Sequence, residues 1–418
     1  MRNLFDQYSQ PENRLTHALA CCLDEEPDLM RSFIKWATGE DAPRADRLRI
    51  VEQRLPGEPE PVDEKEAQRR SLPDAWIYTD NGWSLLVESK VASAVDIDQL
   101  QRHLQIATRR GFENPRLVLL SLTPCTVDLP GRATSRTWTE MYQWTMQWKA
   151  RNAWARRLVE YMEVAERRML ADLYLTEGTL TSFSGISFDD DNPYSYLEAK
   201  RLLQLMMQQL RQRTALQSLL GVNPECKGRP AITGKKSSLV WDVLTFAKQN
   251  GTDFSRYPHL TLGIERDMAR AQLTVPNGID GPLRRRFSDH GFPGVKAALA
   301  DYLKRASPVL ESDSGAKPYV LIVQRRYPSQ RSEPFVDAWV EFDPRTALGG
   351  EAGEVKLQSQ WLDATVNAFS KPQSNLNISF GMAFPYGKSQ SVSQASFVEV
   401  TESVWLATAP ILEALAVL

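Results

Sequence analysis

The sequence predicts a two-region α/β protein. Three patterns carry that expectation. Within residues 11–122 a helical apolar period, two short strands around a turn, a second helix and a buried-looking strand follow one another. From about residue 221 hairpin-like strand pairs replace that alternation. The chain has 418 residues, more than one small core organises.

The elements follow in order. Leu15, Ala18, Leu19, Cys22 and Leu23 recur at helical spacing and predict a helix over 11–23. Residues 40–70 are charged and Pro-bearing and read as partly loop. Strands at 75–78 and 83–90 flank the turn signal Asp80-Asn81-Gly82. A helix follows over 97–110, with Asp96 or Asp98 as N-cap and Gly111 at its stop. A strand at 116–122 and a long helix over 138–171 close a first region, 1–172. Residues 173–220 read as a linker and a connecting helix, the helix over 194–220. A separate α+β region, 221–418, pairs 259–264 with 271–275 and 319–324 with 336–342, between helices at 294–305 and 401–417. No repeat of fixed period is present.

Composition narrows the function. Fifty basic against 52 acidic side chains give a net charge of −2, which excludes a whole-chain basic field but leaves room for a local stripe. Cys21, Cys22, Cys125 and Cys226 show no CxxC spacing, so a reducing cytosol is expected rather than a disulfide scaffold. Residues 1–14 lack the apolar run of a signal peptide, and no apolar stretch approaches a membrane span. A cytoplasmic location without membrane contact is the expectation.

The chemistry concentrates on the second strand, which ends Leu86-Val87-Glu88-Ser89-Lys90. Side chains alternate along a strand, so Glu88 and Lys90 share one face while Leu85 and Val87 take the other. The turn brings Pro73-Asp74 beside them. Glu12 stands three before Leu15 and seven before Leu19, along the buried stripe of the first helix. Gln99 and His103 share a face of the next helix. Carboxylate oxygens in such a group suit Mg²⁺ or Mn²⁺.

Pro73-Asp74, thirteen intervening residues and then Glu88-Ser89-Lys90 resemble the PD-(D/E)XK nuclease superfamily. The resemblance implies a restriction-endonuclease-like αβββαβ core in residues 11–122 and says nothing about the second region. It implies metal binding by Glu12, Asp74 and Glu88, and a Lys90 that positions or activates water. Gln99 is similar to the glutamine after the motif in RecB-like members, whose QxxxY has His103 here in place of tyrosine. The implied function is Mg²⁺- or Mn²⁺-dependent phosphodiester hydrolysis, with DNA as the first expected partner. A nuclease region joined to an unrelated module, without a helicase or ATPase motif, suggests restriction or phage defence by analogy of architecture. A homodimer or a defence-system protein partner is a further expectation. The alternatives are a non-catalytic nucleic-acid-binding or scaffold subunit, whose acids are structural, and a nuclease silent until a partner or ligand activates it.

Other signals are weaker. Gly228–Lys236 has five residues between its glycines and lacks Ser or Thr after the lysine, so it is read as a basic loop rather than a P-loop. His17 and Cys21 are four apart, but no second pair has zinc spacing, so packing is expected. Trp138, Trp144, Trp148 and Trp154 read as core or interface, and Asp189–Asp191 as a solvated loop. Residues 281–331 hold ten basic and four acidic side chains. Arg284, Arg285, Arg286, Arg325 and Arg326 are the candidates there for phosphate contact.

Overall fold

The structure is a computed structural model that describes residues 5, 7–44, 47–58, 70, 72–91, 93–127, 131–171, 178–226, 228, 238–247, 254–279, 281–326, 335–348, 358–370 and 376–417. The chain divides into two compact units, Met1–Ser182 and Phe183–Leu418. Both mix helices with a sheet, one sheet being mixed and the other antiparallel. Among the described residues no helix is long and apolar enough to cross a membrane.

The first unit begins with α1 (Pro11–Glu25) and α2 (Pro27–Thr38). Pro at the first position suits each, because the missing N–H has no partner within the helix there. The sheet is built from β1 (Arg49–Glu52), β2 (Ala75–Tyr78), β3 (Ser84–Lys90), β4 (Arg116–Ser121) and β5 (Ala133–Thr137), in that spatial order. β1, β2 and β3 pair antiparallel, while β3, β4 and β5 run parallel. The β2–β3 turn closes through Thr79 N–H to the Trp83 carbonyl at 3.0 Å, with Gly82 at φ +89°. That conformation favours glycine.

Parallel strands cannot be joined by a tight turn, so β3 returns to β4 through α3 (Ile97–Arg109). Alternation along β3 sorts the core. Leu85 and Val87 join Leu15, Leu19 and Leu23 of α1 on one side, and Leu86 joins Leu100 and Leu104 of α3 on the other. The long helix expected over 138–171 is two helices, α4 (Trp138–Met146) and α5 (Ala153–Ala171). The break has a local cause: Asn152 Oδ1 accepts the Ala155 N–H at 2.8 Å and starts a new helix. Trp138 and Trp144 are buried, while Trp148 and Trp154 are half-buried, with the Arg151 and Arg157 guanidinium groups 4.2 and 4.8 Å from their ring centres.

The second unit starts earlier than the sequence reading placed it. The helix expected to connect two regions is α6 (Tyr196–Arg211) followed by α7 (Thr214–Leu220), and its apolar face joins the core of this unit. The linker expectation for 173–177 lies outside the described residues. The sheet holds β6 (Leu239–Leu244), β7 (His259–Glu265) and β8 (Met268–Val275). After α8 (Gly281–Asp289) and α9 (Gly291–Ser312) come β9 (Lys317–Arg326), β10 (Phe335–Phe342), α10 (Pro344–Leu348), α11 (Gln360–Ser370) and β11 (Leu376–Pro385). The strand order is β10-β9-β11-β8-β7-β6, all antiparallel. The helix expected over 401–417 is likewise divided, into α12 (Phe397–Ala407) and α13 (Ala409–Ala414).

One face of this sheet packs on helices and the other carries Thr261, Gln272, Thr274 and Ser379 around a cavity of about 590 Å³. Gly381 sits in the middle of the sheet, opposite Gln272 on β8 and Tyr319 on β9. A Cβ there would stand 2.2 Å from the Ala271 carbonyl oxygen and 2.6 Å from Gln272 Cβ. The Gly381 carbonyl also accepts the Tyr302 hydroxyl at 2.7 Å. Gly381→Ala is therefore expected to cost about 1–3 kcal/mol, the usual range for an overpacked core. Urea unfolding monitored by far-UV circular dichroism checks it, and an unchanged midpoint would show that the strands part without cost.

Candidate active site

β3 places the central residues. Continuing the β2–β3 register, Ala75 with Val87 and Trp76 with Leu86, by one residue sets Asp74 opposite Glu88. Asp74 Oδ2 accepts the Ser89 N–H at 2.7 Å, which ties the end of β2 to the Glu88-Ser89-Lys90 segment. Glu88 and Lys90 emerge on the α3 face, and Lys90 Nζ lies 2.8 Å from Glu88 Oε1. Glu88 is buried at 1% exposure.

α3 supplies the next two groups. Asp96 caps it, accepting the Asp98 and Gln99 N–H groups at 2.9 and 3.2 Å, so the Asp96 alternative of the sequence reading is the one formed. The cap fixes Gln99 in the first turn, where Gln99 Nε2 donates to Glu88 Oε1 at 2.9 Å. One turn on, the buried His103 sets Nε2 3.2 Å from Glu88 Oε2. The two atoms are close but out of line, and Oε2 receives no aligned hydrogen bond. His103, at the family's tyrosine position, is thus part of the cluster.

Glu12 reaches the cluster from α1. Its Oε1 accepts the Val91 N–H at 2.6 Å, the Ser93 N–H at 3.1 Å and the Ser93 hydroxyl at 2.9 Å, and its Oε2 lies 3.2 Å from the same hydroxyl. Ser93 escaped the sequence reading, because a serine in a loop carries no pattern. The bonds place the first-helix acid at the exit of β3.

The electrostatics separate the two central acids. Burial, then the neighbouring Glu88 charge, pushes Asp74 well above the usual carboxylate range, against the Ser89 N–H and Lys90; the Glu12 charge pushes the same way. Burial also opposes the Glu88 charge, but His103 and Lys90 hold its carboxyl below its ordinary value. Burial would discharge Lys90, yet Glu88 first, then Asp74 and Glu12, holds it above its ordinary value as a cation. A crowded carboxylate pair with one orphaned buried oxygen and hard oxygen donors fits a divalent cation of the Mg²⁺ or Mn²⁺ type. Asp74 and Glu88 would hold it, with Glu12 at the edge.

Arg325 and Arg326 are adjacent on β9, so they point to opposite faces. Arg325 lines the sheet cavity, while Arg326 is exposed, 3.4 Å from Asp337 and over the Phe335 ring. Arg285 and Arg286 are exposed on α8, and the Arg284 side chain lies outside the described residues, as does the run 229–236. Comparison with family models, with curated proteins and with solved structures returns no match.

Proposed function

We propose that the first unit is a metal-dependent nuclease of the PD-(D/E)XK type, acting on phosphodiester bonds and on DNA in the first instance. One observation carries the reading. Asp74 before β2 accepts the Ser89 N–H, Lys90 pairs with Glu88 on β3, Glu12 from α1 accepts the Val91 N–H just beyond them, and Gln99 and His103 close on Glu88. The order α1, β1, β2, β3, α3, β4, with α2 inserted after α1, is the sequence of elements such a core needs. Asp74 and Glu88 would hold a Mg²⁺ or Mn²⁺, which would lower the pKa of a water and offset charge on the phosphoryl oxygens.

The protein's own groups do the rest. Gln99 bonds one oxygen of the Glu88 carboxylate and His103 stands 3.2 Å from the other, so Gln99 orients the group before substrate arrives. Lys90 stands 2.8 Å from Glu88, and Glu88 first, then Asp74 and Glu12, holds it above its ordinary value as a cation. Its role is therefore to hold a phosphate oxygen or an incoming hydroxide electrostatically, not to remove a proton. A place in prokaryotic restriction or phage defence belongs to the same proposal and rests on architecture alone.

Incubating the full-length protein with plasmid and with single-stranded oligonucleotide tests the reading. Cleavage is expected with Mg²⁺ or Mn²⁺ and not with EDTA, with Ca²⁺ supporting binding at most because its looser geometry positions water poorly. Cleavage that persists in EDTA would overturn the metal-dependent mechanism. DNA binding without cleavage in any metal would favour the binding-subunit reading.

A further inference from the structure

We propose that His17, Cys21 and Glu52 form a second metal site that takes a zinc-class ion rather than Mg²⁺. The three ligand atoms, one each of nitrogen, sulfur and oxygen, all lie within 4.8 Å of one another. His17 and Cys21 sit one turn apart on α1, and Glu52 ends β1 on the side of the sheet that α1 covers.

The nitrogen–sulfur spacing is that of a coordination sphere. Tetrahedral zinc, with Zn–N about 2.0–2.1 Å and Zn–S about 2.3 Å, holds nitrogen and sulfur about 3.6 Å apart. Cys21 Sγ stands 3.6 Å from His17 Nδ1. His17 Nδ1 lies 2.8 Å from Glu52 Oε2, and that pair must open by a few tenths of an ångström to admit the ion. Sγ is also 3.6 Å from Nε2, so the thiol faces the ring, and a turn of one side chain aims Nδ1 and Sγ at a common point.

The surroundings suit an ion held by three protein ligands and a water. The Tyr8 hydroxyl donates to Glu52 Oε2 at 3.3 Å, a partner that orients a ligating carboxylate. The Phe5 and Tyr8 rings stand edge-on to His17, with centres 6.4 and 5.3 Å away. A thiolate and an imidazole select zinc over the hard cations that Asp74 and Glu88 suit. Cys22, next in sequence, faces the core and takes no part.

An ion here would pin α1 to β1. Glu12 is five residues upstream of His17 on the same helix, and the Gln53 N–H, one residue after Glu52, donates to the Asp74 carbonyl at 3.1 Å. Loading the site therefore fixes Glu12 relative to Asp74.

The test is titration of the reduced, metal-free full-length protein with Co²⁺ and with Zn²⁺. One equivalent of Co²⁺ is expected to give a thiolate-to-cobalt charge-transfer band, and Zn²⁺ to abolish it. Cys21→Ser should remove the band, and His17→Ala and Glu52→Gln should each weaken zinc binding, against a chromophoric chelator, at least tenfold. Asp74→Asn should leave all of this intact, which separates the outcome from that of the cleavage assay. Circular dichroism of each variant checks folding, and Cys22→Ser is a control expected to bind as wild type does. No charge-transfer band in the wild type, or zinc affinity equal in wild type and the Cys21→Ser variant, would overturn the site.

Discussion

Lys90→Ala is expected to lower the cleavage rate about a hundredfold to a thousandfold, the usual loss when one preorganised electrostatic group leaves a water-poor site. Its ammonium stands 2.8 Å from Glu88 and is kept charged by Glu88, Asp74 and Glu12. Removing it takes away the cation of the cluster and leaves the acids in place. The fold should survive, because Lys90 serves the cleft rather than the apolar core, and Glu88 keeps Gln99 and His103. Lys90→Arg restores charge but not a compact ammonium, so only partial rescue is expected. Single-turnover cleavage at saturating Mn²⁺ reads the effect directly. A Lys90→Ala protein that cuts at the wild-type rate would remove this residue from the mechanism.

Asp74→Asn is expected to abolish cleavage, by at least about a thousandfold, while leaving the metal-free protein as stable as wild type or more so at pH 8. The two effects have opposite causes. Asp74 is a ligand for the cation in the proposed mechanism, so losing its charge loses the metal. Without metal, the same charge is half-buried beside Glu88, and its proton is held well above the usual carboxylate range. The folded state then binds the proton more tightly than the unfolded one. Wild-type stability from this group is present at low pH and is lost as pH rises from the unfolded value, about 3.9, through the raised folded one. The neutral amide of the variant mimics the protonated acid, can still accept from Ser89 N–H, and removes that loss. The variant's advantage should grow with pH in EDTA and vanish near pH 3. Mg²⁺ should raise the melting temperature of wild type at pH 8 and not that of the variant. Thermal melts across pH, with and without metal, give all four values. An Asp74→Asn protein clearly less stable than wild type at pH 8 in EDTA would show that Asp74 is held as an anion, contrary to this account.

Local rules in the chain were enough for the hairpin and the acids at its ends. Asp80-Asn81-Gly82 between apolar runs specifies a turn, and a period of two along β3 puts Glu88 with Lys90 and apart from Val87. The spacing of Gln99 and His103 on an amphipathic helix likewise put both on one face, and the Asp96 cap fixed where that helix begins. What local rules could not supply were the groups that arrive from elsewhere in the chain. β1 is four residues long within a charged segment, so Ile50-Val51 is too short a signal by itself and pairing with β2 makes it a strand. With it came Glu52, which turns a His17–Cys21 spacing read as packing into three ligand atoms in one place. Ser93 anchors Glu12 from a loop 81 residues away. The helix periodicity over 138–171 and 194–220 was correct in kind and wrong in continuity, since a cap or a short turn interrupts a helix without disturbing its apolar spacing. Periodicity and turn chemistry are properties of neighbours in sequence, and they determined the elements and the faces of the side chains. Burial, carboxylate crowding and the convergence of ligands are properties of neighbours in space, and only the packing of α1, β1, β3 and α3 decided those.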